Sequence, residues 1–536
     1  MGGDGDVKRR MAALLCLTPL LSGCFDYFYP YPDLTVTPPP SPSPPPIILP
    51  SPAPRALTFG IAFSPVETFR PLADTLRHNG EAARLCYEGL FEADGQFVPR
   101  PLLCTAFETE DNIHFTVTPR EGVLFHDGSP LTAADIVYSV KQAQRPGGPY
   151  AERLACVSAV SAQTGGTVLI TMNAPVWNAA ALFDFPVVRE SGAAAEPGTG
   201  PYRMSLSAEE AFLLPWENWW QKDKPPPAER IELVPAGDAG TLAYSFQYGY
   251  ISMTPVDLWD TFSPGIHTGY DKVVTPSGLT QMIGFNTLRA PLNQRELRLA
   301  LALALDRRGA VSAVYGEGAE AAALPVPPSS PFYTEKAAMR YRFDPGESAR
   351  LIAELGYTDA GEDGALSRRR GRRTERLELD MIVGAENAAR GRMAGLYADA
   401  LRAAGFAVNI RALDRPAFAR ALRDGDFDLY YAEARPAPNF DPGEFLLPGG
   451  AFAHGVTDSY AVRAALAGLA ASDPYTEEGR DALGTVWDAL YDEMPFLTVC
   501  FRNTLFISQR GLLSGQTPTF YNPYAGFAGW TVNGPH

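Results

Sequence analysis

One stretch in the last third of the chain constrains the fold most, because strand and helix patterns alternate in it. Leu377 to Val383 is a predicted strand, Glu386 to Ala404 a predicted helix, and Ala407 to Leu413 a second strand. Pro416 opens another helix, and Asp428 to Ala434 returns as a strand. Strands that alternate with helices imply a parallel sheet, so the sequence predicts an α/β protein.

The same pattern predicts where a ligand would bind. Ligands of parallel sheets lie beyond the carboxyl ends of the strands. This rule places Tyr430 to Asp441 near a cleft. The predicted inner face of the first helix consists of Met393, Leu396, Tyr397, Ala400, Leu401 and Ala404.

The first residues resemble an export signal. Lys8-Arg9-Arg10 is basic, Met11 to Leu20 is mostly apolar, and Leu21-Ser22-Gly23-Cys24 follows. The cysteine after small residues resembles the bacterial lipobox, which implies that Cys24 becomes the lipidated N-terminus; a signal without lipidation is the alternative. No stretch has the roughly 18 apolar residues that span a bilayer, so we expect membrane contact through lipid on Cys24.

Composition narrows the classes of partner and site. The net charge of −16 argues against binding to nucleic acid, which needs basic surface. Four cysteines remain beyond the signal and the lipobox, and they are either free thiols or disulfides: Cys86, Cys104, Cys156 and Cys500. Because no CxxC spacing exists, a zinc site is disfavoured.

Two segments have unusual composition. Thr37 to Arg55 is proline-rich and predicts an extended spacer, with folding beginning near Ala56. Later, six arginines fall between Ser367 and Arg376. The arginine run predicts a solvated hairpin or loop, and anion binding is the alternative.

The first half also has recognisable local signals. Ile113 to Pro119 alternates apolar and polar residues as a half-buried strand does, and Val123 to Phe125 resumes the strand pattern. Thr132 with Asp135 three residues later predicts a capping box. Leu299 to Leu305 is expected to be a buried helix core.

Several of these segments resemble the family 5 extracellular solute-binding proteins, the oligopeptide- and dipeptide-binding components of ABC importers. The similar segments stand in the family's order: Tyr87 to Phe91 (YEGLF), Arg120 to Ser139, Gly198 to Tyr202 (GTGPY), Ile283 to Thr287 (IGFNT) and Arg295 to Arg307. Most of these residues are expected to serve the fold through turns and tight backbone.

The resemblance implies a two-lobe α/β periplasmic-binding-protein type II fold with an extra subdomain. The expected divisions are a lipoprotein signal peptide at 1–24, a linker at 25–55, lobe I at 56–87, 191–278 and 497–536, its extra subdomain at 88–190, and lobe II at 279–496.

The resemblance also implies a function. The lobes would enclose a peptide or similar small solute, and the closed monomer would deliver it to an ABC permease and ATPase complex outside the cytoplasm. The implied ligand contacts are Val66, Glu67, Tyr431, Glu433, Asn439, Phe440 and Asp441. Peptide-binding relatives often carry an aspartate where this chain has Pro438, so the resemblance does not extend to recognition of a free peptide N-terminus. Glu433 or Asp441 is expected to substitute as the anionic partner of a ligand amino group. The alternative for Asp441 is a turn residue before Pro442.

Other functions remain as alternatives. Relatives bind nickel complexes, sugars or other solutes, and a receptor of this kind also serves sensing or adhesion. The chain contains no GxSxG or HExxH motif, so an extracellular hydrolase is disfavoured and no catalytic residue, metal ligand or cofactor is predicted.

Overall fold

Residues 59–207, 209–256 and 269–533 are described by a computed structural model of the chain. The predicted signal, Cys24 and the proline-rich linker lie outside the described residues. The strands, in chain order, are β1 (Phe59–Phe63), β2 (Phe91–Ala93), β3 (Pro99–Pro101), β4 (Cys104–Glu108), β5 (His114–Pro119), β6 (Val157–Ala162), β7 (Val168–Met172), β8 (Tyr202–Leu206), β9 (Ala211–Pro215), β10 (Ile231–Pro235), β11 (Met253–Val256), β12 (Tyr270–Phe285), β13 (Ala319–Ala321), β14 (Asp359–Ala360), β15 (Leu366–Arg370), β16 (Arg373–Arg376), β17 (Glu378–Gly384), β18 (Ala407–Leu413), β19 (Leu429–Ala434), β20 (Phe496–Gln509), β21 (Leu513–Ser514) and β22 (Thr531–Val532).

The helices, in the same order, are α1 (Arg77–Cys86), α2 (Ala133–Ala143), α3 (Ala239–Gln247), α4 (Arg295–Leu303), α5 (Arg307–Tyr315), α6 (Glu335–Ala338), α7 (Pro345–Glu354), α8 (Ala388–Ala403), α9 (Arg415–Asp424), α10 (Gly443–Leu446), α11 (Tyr460–Ala470) and α12 (Glu477–Glu493). None of them is long and apolar enough to cross a membrane, as far as the described ranges extend.

The largest sheet contains the predicted strand–helix alternation. Its strand order is β11-β20-β12-β19-β17-β18, with β13 added on β20. β17 runs parallel to both β18 and β19, as predicted. However, β12 runs antiparallel to β19 and β20, so the sheet is mixed rather than purely parallel. The antiparallel strands come from distant parts of the chain, which the local pattern does not report.

The long strands β12 and β20 pair over most of their length with two shifts of register. Tyr270–Pro276 pairs with Asn503–Gln509, and Thr280–Gly284 pairs with Phe496–Phe501. The register shifts between Gln281 and Met282 and, by a larger step, between Pro276 and Thr280. A bulge of this kind bends the strands locally, and this one lies at the predicted boundary between residues 278 and 279. The boundary itself stays a prediction.

Two four-stranded sheets precede this one and share a hydrophobic core. One has the order β1-β10-β9-β8 and the other β4-β5-β7-β6. The capping box at the start of α2 is confirmed, with the backbone N–H of Thr132 donating to Asp135 Oδ2 at 2.9 Å. Val123 to Phe125 was expected to be a strand, but it forms only an isolated bridge between Leu124 and Pro130.

The GTGPY segment packs directly against the end of α1. A Cβ on Gly198 would lie 2.2 Å from the carbonyl oxygen of Cys86, and one on Gly200 would lie 2.7 Å from its carbonyl carbon. His126 Nε2 also lies 3.1 Å from the Gly200 carbonyl oxygen. The two glycines therefore allow three of the family-like segments to meet, which is a structural role.

Two further expectations concern buried side chains. Leu299 to Leu305 is buried throughout, as predicted, although α4 itself ends at Leu303. Leu396 was placed on the inner face of α8, but it is exposed. The four cysteines are free thiols, of which only Cys156 is half-buried rather than buried: Cys86, Cys104, Cys156 and Cys500.

Candidate functional site

The loop that follows β19 is held against an earlier part of the chain. Asn439 Nδ2 donates a hydrogen bond of 3.1 Å to the carbonyl oxygen of Trp177. The ring of Phe440 packs edge-on against Phe97 with 5.4 Å between centroids. Phe440 also has a φ of +51°. A bulky residue rarely adopts this conformation, and such strain occurs preferentially at functional sites.

A cavity of about 400 Å³ lies between this loop and the segment from Glu152 to Leu182. Two of the predicted contacts, Asn439 and Asp441, line it. Its apolar walls include Trp177 and Leu466. The polar side chains around it are Glu152, Arg153, Cys156, Asn439, Asp441, Glu444 and Arg463. The cavity therefore lies just beyond the carboxyl end of a central strand, where the sequence predicted a ligand to bind.

Two carboxyl groups of the loop border the cavity. The Gly443 N–H donates to Asp441 Oδ1 at 2.8 Å, and the Ala437 N–H donates to Glu444 Oε2 at 3.2 Å. Burial raises the pKa of Asp441. Burial and the neighbouring Asp441 charge together raise the pKa of Glu444 to about 8. Both acids are thus short of positive charge or hydrogen-bond donors.

Two other polar atoms in the cavity wall lack hydrogen-bond partners. They are Asn439 Oδ1, an acceptor, and Arg153 Nε, a donor, and both are buried. The remaining part of the Arg153 guanidinium is fixed, because its Nη2 lies 2.5 Å from Asp184 Oδ1. Burial would raise the pKa of Asp184, but the charges of Arg153 and Arg84 outweigh it and hold that pKa below its ordinary value. A buried polar atom without a partner is a place where a ligand gains affinity.

Tyr431 and Glu433 belong to a different polar cluster, centred on Gln281. Tyr431 is 1% exposed, and its hydroxyl donates to Gln281 Oε1 at 2.6 Å. Gln281 Nε2 donates to Glu433 Oε2 at 3.0 Å. Arg502 lies 3.2 Å from the same carboxylate oxygen. The Glu433 charge is therefore already balanced by a buried cation.

The first two predicted contacts lie in a third place. Val66 is half-buried against the core of the first two sheets, and Glu67 is exposed in the turn after β1. Neither lines the cavity. The structure thus brings Asn439, Phe440 and Asp441 together in one loop. All seven assignments stay predictions.

Sequence reasoning missed several cavity residues. Glu444 follows Asp441 by three positions, so the two acids lie close together at the start of α10, and that spacing is the one signal available. Arg153 and Trp177 reach the cavity from a distant segment, and no local pattern marks them. No group of three or more His, Cys, Asp or Glu residues that would suit a metal ion occurs in the ranges with described coordinates.

Comparison with known proteins identifies the family and the fold. A family model described as bacterial extracellular solute-binding proteins, family 5 Middle, matches residues 98–452. The glutathione-binding protein of Salmonella typhi is 24% identical over 295 residues, which cover 52% of this chain and 57% of that protein. The chain thus spans little more than half the length of the first curated relatives that it matches.

Two further comparisons extend over most of the chain. The nickel-binding periplasmic protein of Escherichia coli strain K12 is 26% identical over 483 residues, covering 83% of this chain and 88% of that protein. The unliganded open form of the murein tripeptide-binding protein MppA has a TM-score of 0.73 at 18% identity, covering 90% of this chain and 97% of that one. This likeness confirms the predicted two-lobe periplasmic-binding fold. Since the family model matches well over half of the sequence, the chain belongs to the bacterial extracellular solute-binding proteins of family 5.

Proposed function

We propose that this chain is the substrate-binding component of an ABC importer, which captures a peptide or similar small solute between two lobes and delivers it to a membrane permease. The observation that carries the proposal is the cavity beyond β19, where the family fold and the predicted ligand loop coincide. Ligand would favour the closed arrangement of the lobes by binding it more tightly than the open one.

The polar groups of the cavity support a solute with an amino group. Asp441, Glu444 and Asn439 Oδ1 are acceptors with few donors of their own. An ammonium group supplies three donors and a positive charge. Glu433 is a weaker candidate for this role than Asp441, because Arg502 already balances its charge.

The proposal also covers the location of the chain and the fate of the solute. The family is extracytoplasmic, and we place this chain at a bacterial membrane surface through lipid on Cys24. The receptor binds the solute as a monomer and releases it chemically unchanged. Val66, Glu67, Tyr431 and Phe440 remain proposed contacts, although none of them lines the cavity.

A second candidate is a receptor for a nickel complex or another non-peptide solute, used in import or sensing. The match to the nickel-binding periplasmic protein over 83% of the chain favours it. In that case the metal would be cargo carried by its own chelator.

Mass spectrometry of solute released from the purified, denatured protein distinguishes these candidates. The proposal predicts an unmodified amine-bearing solute, such as a short peptide. A metal chelate would instead support the second candidate. A mixture of hydrolysis products formed from added peptides would overturn both.

Asp441→Asn tests the amino-group contact, because the asparagine keeps an acceptor but loses the charge. A hydrogen bond to a charged group contributes about 1.5–3 kcal/mol. Isothermal titration of the identified peptide should therefore show affinity at least about tenfold weaker in this variant. Asp424→Asn, which removes an exposed acid at the end of α9, is the matched control and should bind normally. Unchanged affinity of Asp441→Asn would show that this residue only supports the turn.

A further inference from the structure

The hairpin of β15 and β16 carries an unusual concentration of positive charge. Residues 366–376, here called the arginine hairpin, contain six arginines and one glutamate in a chain of net charge −16. The two strands pair antiparallel and turn through Gly371, which has a φ of +64°. Solute binding at the cavity does not use this hairpin, since none of its residues lines the cavity.

The base of the arginine hairpin is fixed to the body of the protein. The Arg368 guanidinium lies over the Tyr357 ring at 4.4 Å and donates to the Leu355 carbonyl oxygen at 2.7 Å. It also pairs with Glu375 at 2.7 Å. Arg376 pairs with Asp363. These two arginines have structural partners, and they hold the tip in one orientation.

The tip of the hairpin has no comparable partners. Arg369, Arg372 and Arg373 are exposed and form no ion pair with any residue that the structure describes. Arg370 reaches Glu375 only at 4.0 Å, and that carboxylate is already bonded to Arg368. Arg370 also stands directly opposite Arg373 in the strand register. Like charges in that position destabilise the pairing, so the tip carries a local cost that an anionic partner would offset.

The chemistry of the tip indicates the kind of partner. A guanidinium is planar and binds phosphate oxygens through two parallel hydrogen bonds. The segment from Ser367 to Arg376 contains no apolar side chain. Arginine is common at protein–protein interfaces, but these interfaces also have a buried apolar core with aromatic side chains, which the tip lacks. A lipid surface presents many phosphates and requires no apolar anchor.

We propose that the arginine hairpin is a membrane-contact site, in which Arg369, Arg370, Arg372 and Arg373 bind the phosphate groups of anionic phospholipids. The rest of the chain is acidic, but charges more than about 8–10 Å away are largely screened at physiological salt. The contact is therefore local, weak and salt-sensitive. It goes beyond solute capture, because it would orient a receptor at the membrane.

Vesicle co-sedimentation tests this site independently of the ligand and of the lipid anchor. The protein is the chain from residue 24 onward with Cys24→Ala, so that neither an acyl chain nor the basic, apolar signal contributes. It is mixed with vesicles of phosphatidylcholine alone or with about a third phosphatidylglycerol. We expect binding to the anionic vesicles only, and loss of that binding at high salt. Each exposed arginine near an anionic surface contributes about 1 kcal/mol, so neutralising the tip should weaken binding by at least about tenfold.

The neutralised protein carries four exposed substitutions at the tip: Arg369→Gln, Arg370→Gln, Arg372→Gln and Arg373→Gln. Its matched control removes the same charge from four other exposed arginines and should still bind: Arg308→Gln, Arg392→Gln, Arg420→Gln and Arg423→Gln. A variant with lysine at the four tip positions keeps the charge and should also bind.

Three results would overturn the proposal. They are equal binding to neutral vesicles, equal loss in the matched control, and undiminished binding of the neutralised tip. Soluble polyglutamate and an excess of unlabelled phosphatidylglycerol vesicles are then compared as competitors. If polyglutamate displaces the protein equally effectively, the partner is an acidic protein surface and the lipid assignment is wrong. None of these outcomes depends on whether a solute is bound at the cavity.

Discussion

Glu88 shows, at the scale of one residue, how the family-like segments hold the fold together. Its carboxylate accepts hydrogen bonds from Thr199 Oγ1 at 2.8 Å, Trp220 Nε1 at 2.9 Å and Trp219 Nε1 at 3.2 Å. The donors come from the GTGPY segment and from the tryptophan segment that follows β9. Burial raises the pKa of Glu88 from 4.5 to about 7, although these hydrogen bonds oppose the rise.

This raised pKa predicts a pH dependence of stability. Native Glu88 keeps its proton at pH values where the unfolded chain has lost it. Its stabilising contribution is therefore complete below about pH 4.5 and is lost as the pH rises through about 7. The pKa difference corresponds to roughly 3 kcal/mol. Glu88→Gln has no titratable group at this position, so this loss should be absent in it.

Urea unfolding followed by tryptophan fluorescence measures the effect. The difference in unfolding free energy between the wild-type protein and Glu88→Gln should shrink or reverse between pH 4.5 and 7. Glu121→Gln, at an exposed position, should show a constant difference from the wild type. A constant difference for Glu88→Gln as well would mean that Glu88 ionises normally in the native protein.

At the residue scale, sequence reasoning gave the position of a residue where that position depends on a strand. Asn439 and Asp441 line the cavity because they follow a central strand, and the strand was predictable. Arg153 was not predictable, because its role depends on a buried contact with Asp184. Arg502, the ion-pair partner of Glu433, is likewise a residue of β20 that lies far away in the sequence.

At the scale of elements, local patterns predicted strands better than faces of helices. Ala407–Leu413 is a strand with the predicted bounds. Glu378–Gly384 is shifted by one residue at both ends from its prediction, and Leu429–Ala434 begins one residue late. Helix α8 packs instead through a stripe that includes Ala394 and Ala398, which leaves Leu396 exposed. Small alanine side chains do not stand out in a hydrophobic pattern, so the predicted face was shifted.

Two glycines in these elements should respond oppositely to substitution by alanine. Gly395 lies inside α8 with no atom within 4 Å of an added Cβ. An interior helical glycine costs about 0.5–1 kcal/mol relative to alanine, so Gly395→Ala should raise the free energy of unfolding by that amount. Gly284 in β12 differs, because its Cβ would lie 2.0 Å from the ring of Tyr430.

That ring has little freedom to move, since the Tyr430 hydroxyl donates to the Phe452 carbonyl oxygen at 2.7 Å. Overpacking of a core costs about 1–3 kcal/mol, so Gly284→Ala should lower the free energy of unfolding by about that amount. Chemical denaturation of both variants provides the measurement. Equal effects on the two proteins would contradict the argument from local space.

At the scale of the whole molecule, several hydrogen bonds join the first half of the chain to the second beside the cavity. Asn112 Nδ2 donates to the Ala470 carbonyl oxygen at 3.0 Å, and the Tyr475 hydroxyl donates to Asn178 Oδ1 at 3.2 Å. Together with the Asn439 contact to Trp177, they close the two parts on each other. Under the proposed function, a solute that binds this arrangement more tightly than an open one would add to these contacts.

The final prediction concerns where the molecule resides. A basic start, a short apolar run and small residues before Cys24 predict export followed by acylation. A single acyl chain binds membranes only marginally, so firm retention requires more than one chain or a second contact. In a bacterial host, Cys24→Ala should therefore abolish acylation and move the protein to the soluble fraction.

Cys16→Ala alters a thiol inside the signal and should leave both properties unchanged. Retention of Cys24→Ala at wild-type levels in high salt, which suppresses an electrostatic contact, would show that the anchor is not at Cys24. Retention only at low salt would instead be the behaviour expected from the arginine hairpin alone.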